Sequence, residues 1–214
     1  MFGISVDQLL FIFKGAGWTL VLSAMGFIGG ALIGVPLALA RARGGVVLRG
    51  FTGAYVQLMQ GVPLPVVMFV VYFGISIAGF DVPALVAAGI AMTVYSSAYL
   101  GEIWKGCIQA VPKTQWEAAE CLALRPLQRV IYVILPQAVR IAIAPTVGFL
   151  VQIIKNSSYA VVIGFFDLTY SARVVNNSTF KPFVVFTIAA VIYFAICYPL
   201  SSVSYWLERR LKRN

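Results

Sequence analysis

The chain has 214 residues, 61% of them hydrophobic and only 11% charged. A soluble domain carries about 25% charged residues, so this composition leaves too little polar surface for a water-facing globule and points to the bilayer as solvent. The net charge of +9 does not indicate nucleic acid, because membrane proteins gather Lys and Arg in their cytoplasmic loops. The sequence has no His and only three Cys, at 107, 121 and 197. Metal centres and Cys–His nucleophiles therefore lose their ligands and bases, and an odd Cys count without paired spacing argues against a disulfide framework. One compositional regime runs from end to end, so residues 1–214 read as a single transmembrane domain.

Met1 to Thr19 does not read as a signal peptide: it lacks a basic start, and Asp7 lies early. Phe11, Ile12 and Phe13 suit a short interfacial helix leading into the first span. That span, about Gly17 to Ala40, is free of charge and reaches about 36 Å at ~1.5 Å per residue, enough to cross. Within it Gly26, Gly30 and Gly34 share one helix face. Such a face allows close backbone packing, within the chain or between two copies; glycine is also simply common in membrane helices. The second span, about Ala54 to Gly79, is apolar except for Gln57 and Gln60 and contains Pro63 and Pro65. The third runs from Pro83 to Leu100, with helical character through Glu102 to Lys105. A long polar segment occupies about 109–137. The fourth span begins near Ile141, meets Lys155-Asn156-Ser157-Ser158 and resumes as Tyr159 to Phe166. A polar loop from Asp167 to Lys181 precedes a fifth span, Pro182 to Trp206, and a basic tail.

Lys and Arg placement sets orientation. One set of loops holds Arg41, Arg43, Arg49, Lys105, Lys113, Arg125, Arg129, Arg140 and the tail; the other holds only Lys14, Arg173 and Lys181. The richer set should be cytoplasmic, with the N-terminus outside and the C-terminus inside. That arrangement needs an odd number of spans, and five satisfies it.

The segment 109–137 is the longest polar stretch, and Thr114-Gln115-Trp116-Glu117 within it has the form of a capping box. A short helix is predicted from Gln115, with Ala118, Ala119 and Ala123 as a small face suited to a groove on another protein. Pro126 ends it and suits the start of a second helix, and Pro136 should break or kink that one before the fourth span. An amphipathic connector on the membrane surface is the plainer alternative.

Glu117-Ala118-Ala119, followed by Ile134-Leu135-Pro136, resembles the EAA loop of ABC-importer permeases. Ala98-Tyr99-Leu100-Gly101-Glu102-Ile103-Trp104, Val111-Pro112-Lys113, Gln137-Ala138-Val139-Arg140 and Ile154-Lys155-Asn156-Ser157-Ser158 are similar to the polar amino acid branch of that family. The resemblance implies an all-α, type I ABC-importer permease fold with about five transmembrane helices, used as a dimer in the bacterial cytoplasmic (inner) membrane. It implies that Thr114, Trp116, Glu117, Ala118, Ala119, Leu122, Ala123 and Leu124 form the helix that couples to an ATPase. The implied partners are a second permease, identical or related, two ATPase subunits, an extracytoplasmic substrate-binding protein and a polar amino acid substrate. ATP belongs to the ATPase subunits, and this chain needs no cofactor. Three features depart from the family pattern. Ala123 and Thr114 stand where the family has Gly, and Gln60-Gly61-Val62-Pro63 stands for Arg-Gly-Thr-Pro. Ala123 is a mild change in a helix and a costly one at positive φ.

Candidates for the substrate path are Gln57, Gln60, Glu102, Lys155, Asn156, Ser157 and Ser158. Lys155 lies about 22 Å along a helix from Arg140, deep enough to face a water-filled path; equally, it can snorkel from a helix end at the outer interface. The rival functions are a membrane-embedded enzyme and a self-contained channel or secondary carrier. The acids are scattered over Asp7, Asp81, Glu102, Glu117, Glu120, Asp167 and Glu208, and no phosphate-binding Gly-Lys-Ser/Thr loop is present. No internal repeat of the kind many carriers show is visible.

Overall fold

The computed structural model describes residues 4–211; Lys212 and Arg213 of the basic tail lie outside them. Helix α1 (Val6–Arg43) starts at a capping box in which Ser5 and Gln8 exchange side-chain and backbone hydrogen bonds. It runs unbroken through the segment expected to form a separate interfacial helix. Helix α2 (Val46–Gly61) and helix α3 (Leu64–Ile77) meet at a bend of 105°. The sequence reading treated this stretch as one span. The bend follows from Pro63, which donates no hydrogen bond and holds Val62 extended at φ −104°, ψ 130°. Helix α4 (Ala84–Gln109) is the central element, packed along α1 and against α3 and α7.

Helix α5 (Lys113–Cys121) is followed by the short turn α6 (Pro126–Gln128), a π-helical stretch over Arg129–Ile134, and α7 (Leu135–Asn156). From Pro126 to Ile163 these form one long apolar run, so Pro136 does not end a helix. The wider π turns come just before it, where a residue without an N–H fits most easily. At Ser157 the helix tightens to 3₁₀ geometry through Ile163 and stops at Gly164, φ 74°. The region expected as a polar loop is instead an amphipathic helix, α8 (Leu168–Thr179), and α9 (Pro182–Leu211) closes the bundle.

Among the described residues, four helices are long and apolar enough to cross a membrane, and the bent α2–α3 pair makes a fifth if it is one span. Residues such as Leu32, Val70, Ile77 and Phe194 are exposed and large, as expected of a surface solvated by lipid. Gly26, Gly30 and Gly34 of α1 face α4 of the same chain. A Cβ on Gly26 would sit 2.7 Å from Met92 Cβ, one on Gly30 2.4 Å from Ser96 Cβ, and one on Gly34 3.2 Å from Leu100 Cβ.

The two charge sets occupy opposite ends. Arg41 pairs with Glu102, Trp104 Nε1 donates to Thr146 Oγ1 at 2.8 Å, and Ser204 Oγ donates to the Ala144 carbonyl at 2.9 Å. These contacts bring together the C-terminal parts of α1, α4 and α9 and the middle of α7. At the other end Leu168 N donates to Thr19 Oγ1 at 3.1 Å, and Ile12 packs with Val175 and Val185.

Candidate functional site

At the basic end, α5 projects as an elbow. Its N-cap is Pro112, without a side-chain hydrogen bond, and the carbonyl of Pro112 accepts from Gln115 N at 3.0 Å. The expected capping box of Thr114 and Glu117 is therefore absent. Pro112 already holds an extended backbone at φ −52°, ψ 140°, so the helix begins one residue before Thr114, which then sits inside the first turn.

The small face is split. Ala119 is 1% exposed, whereas Ala118, Ala123 and Leu122 point outward, Leu122 at 73%. Glu117 and Thr114 are also exposed and Leu124 is half-buried. Trp116, expected at the ATPase contact, turns inward instead. It packs on a cluster of Ile108, Val111, Ile134 and Ala138, and the Arg43 guanidinium lies 4.6 Å from its ring centroid. An amphipathic helix this short buries the one stripe its large ring selects. Trp116 thus ties the elbow to the ends of α1, α4 and α7, and Gln137 Nε2 donates to Gln115 Oε1 at 3.3 Å beside it.

The elbow closes in a Schellman turn: Leu124 N donates to Ala119 O and Ala123 N to Glu120 O. Ala123 takes the left-handed position, at φ 52°. The substitution of Ala for the family's Gly falls where the backbone favours Gly. Arg129 clamps the corner, reaching Glu120 at 3.1 Å and donating to the Leu124 carbonyl at 2.7 Å.

The membrane polar residues do not form one cluster. Glu102 lies at the basic end, between Arg41 at 2.9 Å and Lys105 at 2.7 Å. Gln57 and Gln60 are exposed on α2, with no hydrogen bond to the α7 group among the described residues. Asn156 and Ser157 are buried. Ser157 and Ser158 both donate to backbone carbonyls, of Ile154 and Lys155, and so close the helix end. Lys155 is exposed.

Sequence reasoning missed Asp167. It is fully buried and caps α8, accepting from Tyr170 N at 2.7 Å and from the Tyr193 hydroxyl at 3.4 Å. Burial pushes its carboxyl up to about 6. With Thr19 and Tyr193 it clasps α1, α8 and α9 at the end away from the elbow. An Asp directly before a helical pattern is an N-cap signal, and reading 167–181 as a loop concealed it.

Comparison with known proteins agrees with this architecture. A Bacillus subtilis (strain 168) protein described as a probable amino-acid ABC transporter permease, YckA, is 36% identical over 194 residues, 91% of this chain and 86% of its own length. GlnM, a probable glutamine ABC transporter permease of the same organism, is 34% identical over 99% of this chain and 98% of its own. A chain from a solved structure described as an amino acid ABC transporter with histidines superposes with a TM-score of 0.89 at 31% identity, covering 96% of both chains. The family of binding-protein-dependent transport system inner membrane components matches residues 30–213. The chain belongs to that family and is the permease component of an ABC importer, a transport protein rather than an enzyme.

Proposed function

We propose that the chain imports polar amino acids or close derivatives, pairing with a second permease, identical or related, and with two ATPase subunits and an extracytoplasmic binding protein. The observation that carries this reading is the likeness, along 96% of the chain, to a solved amino acid transporter, with relatives named for amino acids and glutamine. ATP is bound and hydrolysed by the partners. The outward face of α5, with Glu117, Ala118 and Leu122, docks in an ATPase groove, and Trp116 passes its motion to α1, α4 and α7. The basic end is cytoplasmic by the positive-inside rule, which places the N-terminus outside and the C-terminus inside. Substrate crosses by alternating access between the paired permeases.

Proteoliposomes holding the complex test this. ATP supplied on the elbow side should drive uptake of radiolabelled L-glutamine or another polar amino acid only when the binding protein is present. Uptake that needs neither ATP nor binding protein would favour a self-contained carrier.

A further inference from the structure

At the basic end a cleft of about 410 Å³ lies between α1, α4 and α7, within the roughly 300–1,000 Å³ range of sites that hold a small guest. Its walls are apolar: Val35 and Leu39 of α1 and Val139, Ala142, Ile143 and Val147 of α7 line it. The polar side chains that reach it, Trp104 and Thr146, are hydrogen-bonded to each other at 2.8 Å. Val35, Val139 and Ile143 are exposed, so the cleft opens sideways, toward lipid.

Both walls end in an arginine. Val35, Leu39 and Arg43 recur every four residues on α1, and Arg140, Ile143 and Val147 are spaced by three and four on α7, so each arginine shares a face with its wall. Both are exposed. The Arg43 guanidinium lies over the Trp116 ring, which takes up none of its N–H groups in a hydrogen bond to an acceptor atom. Among the described residues the ion pairs of this end engage Arg41, Lys105 and Arg129, and no carboxylate reaches Arg43 or Arg140. The length of the cleft matches half a bilayer. Ala138 lines it and packs with Trp116 beneath Arg43. From Ala138 to Val147 the helix rises about 14 Å, close to half of the roughly 30 Å hydrocarbon core.

We propose that this cleft binds an anionic phospholipid of the leaflet at the basic end, with an acyl chain along α7 and the phosphate held by Arg43 and Arg140. Charge complementarity selects that occupant. An apolar groove with a cationic mouth at the membrane surface matches a lipid's chain and phosphate, and guanidinium N–H groups pair well with phosphate oxygens. A second copy of the chain, related by a two-fold axis along the membrane normal, would bring its own arginines to the same level, where like charges repel.

The test is native mass spectrometry of the full-length chain in detergent, titrated with phosphatidylglycerol and phosphatidylcholine of matched acyl chains. The proposal expects phosphatidylglycerol to be retained on the order of tenfold better. Arg43→Gln with Arg140→Gln should abolish that preference, and Arg43→Lys with Arg140→Lys should keep most of it. Arg49→Gln, which removes an exposed charge of α2 outside the cleft lining, should leave it unchanged. Ala142→Trp should fill the groove and release the lipid with both arginines in place; if that variant does not fold, Val139→Trp fills the exposed rim instead. Equal retention of the two lipids by the parent, or a preference that survives the paired glutamines, would overturn the phosphate site. An equal loss in Arg49→Gln would reduce it to diffuse attraction by a basic surface and overturn it too. Undiminished retention by a folded tryptophan variant would show that the chain lies elsewhere and overturn the cleft.

Discussion

Ala123 offers a direct handle on the coupling elbow. It occupies the left-handed position of the Schellman turn at φ 52°, where an L side chain costs about 1–2 kcal/mol. Glycine removes that strain but has more freedom to lose on ordering, a penalty of about 0.5–1 kcal/mol. The net gain from Ala123→Gly is therefore about 1 kcal/mol, local to α5 and its closing bonds from Leu124 N to Ala119 O and from Ala123 N to Glu120 O. Hydrogen exchange of the permease in nanodiscs reads this as local protection. The Leu124 amide and those of α5 should exchange about fivefold more slowly in Ala123→Gly, with the spans unchanged. In Ala123→Val, whose branched side chain tolerates positive φ poorly, they should exchange faster. Equal protection in Ala123→Gly and the parent would mean that the turn is not strained, and the argument from backbone geometry would fail.

Removing the Arg43 guanidinium from the Trp116 ring, 4.6 Å away, forfeits about 1 kcal/mol. Arg43→Ala should therefore speed exchange across α5 about fivefold and raise the ATP hydrolysed per substrate imported, with Arg43→Lys intermediate. At Gly30, a Cβ would sit 2.4 Å from Ser96 Cβ and 3.0 Å from backbone; Gly30→Leu should cost about 3 kcal/mol or more and lower the melting temperature in detergent. Gly74→Ala, with nothing within 4 Å of the new Cβ, should leave it unchanged. Asp167 is raised by burial from 3.8 to about 6, so the folded state binds its proton more tightly than the unfolded chain. The resulting stability, about 3 kcal/mol at most, is fully present below pH 3.8 and is lost as pH rises through about 6. The melting temperature of the parent should fall between pH 5 and pH 7.5, and that of Asp167→Asn, which keeps a capping oxygen, should stay nearly flat.

What the sequence revealed depended on the range of the physics involved. Span-length apolar runs and Lys/Arg asymmetry are properties of whole segments, and the helices and the two charged ends follow them closely. The four-residue spacing of Gly26, Gly30 and Gly34 defines a face; that α4 fills it is a tertiary fact beyond the reach of spacing. At Pro63 the bend had a local cause in view, yet the apolar run on both sides hid it. The elbow was found by its motif, but not the direction of its side chains. Burial of Trp116 depends on the ends of α1, α4 and α7 arriving beneath it, and Thr114 lost its capping role because Pro112 started the helix earlier. Lys155 and the serines after it looked alike as a polar string. Only the helix end separates them, turning two hydroxyls to backbone carbonyls and leaving one ammonium exposed.

The central claim, that the outward face of α5 receives the force of ATP hydrolysis, rests most directly on Leu122, which is 73% exposed and apolar at the basic end. The decisive measurement is ATPase retention and ATP-driven uptake by complexes carrying Leu122→Glu. The spans are untouched, so the variant should insert and pair as the parent does. A desolvated charge at the centre of the contact should weaken ATPase binding on the order of tenfold or more and abolish uptake. Parental retention and uptake in Leu122→Glu would contradict the account and leave α5 a surface connector.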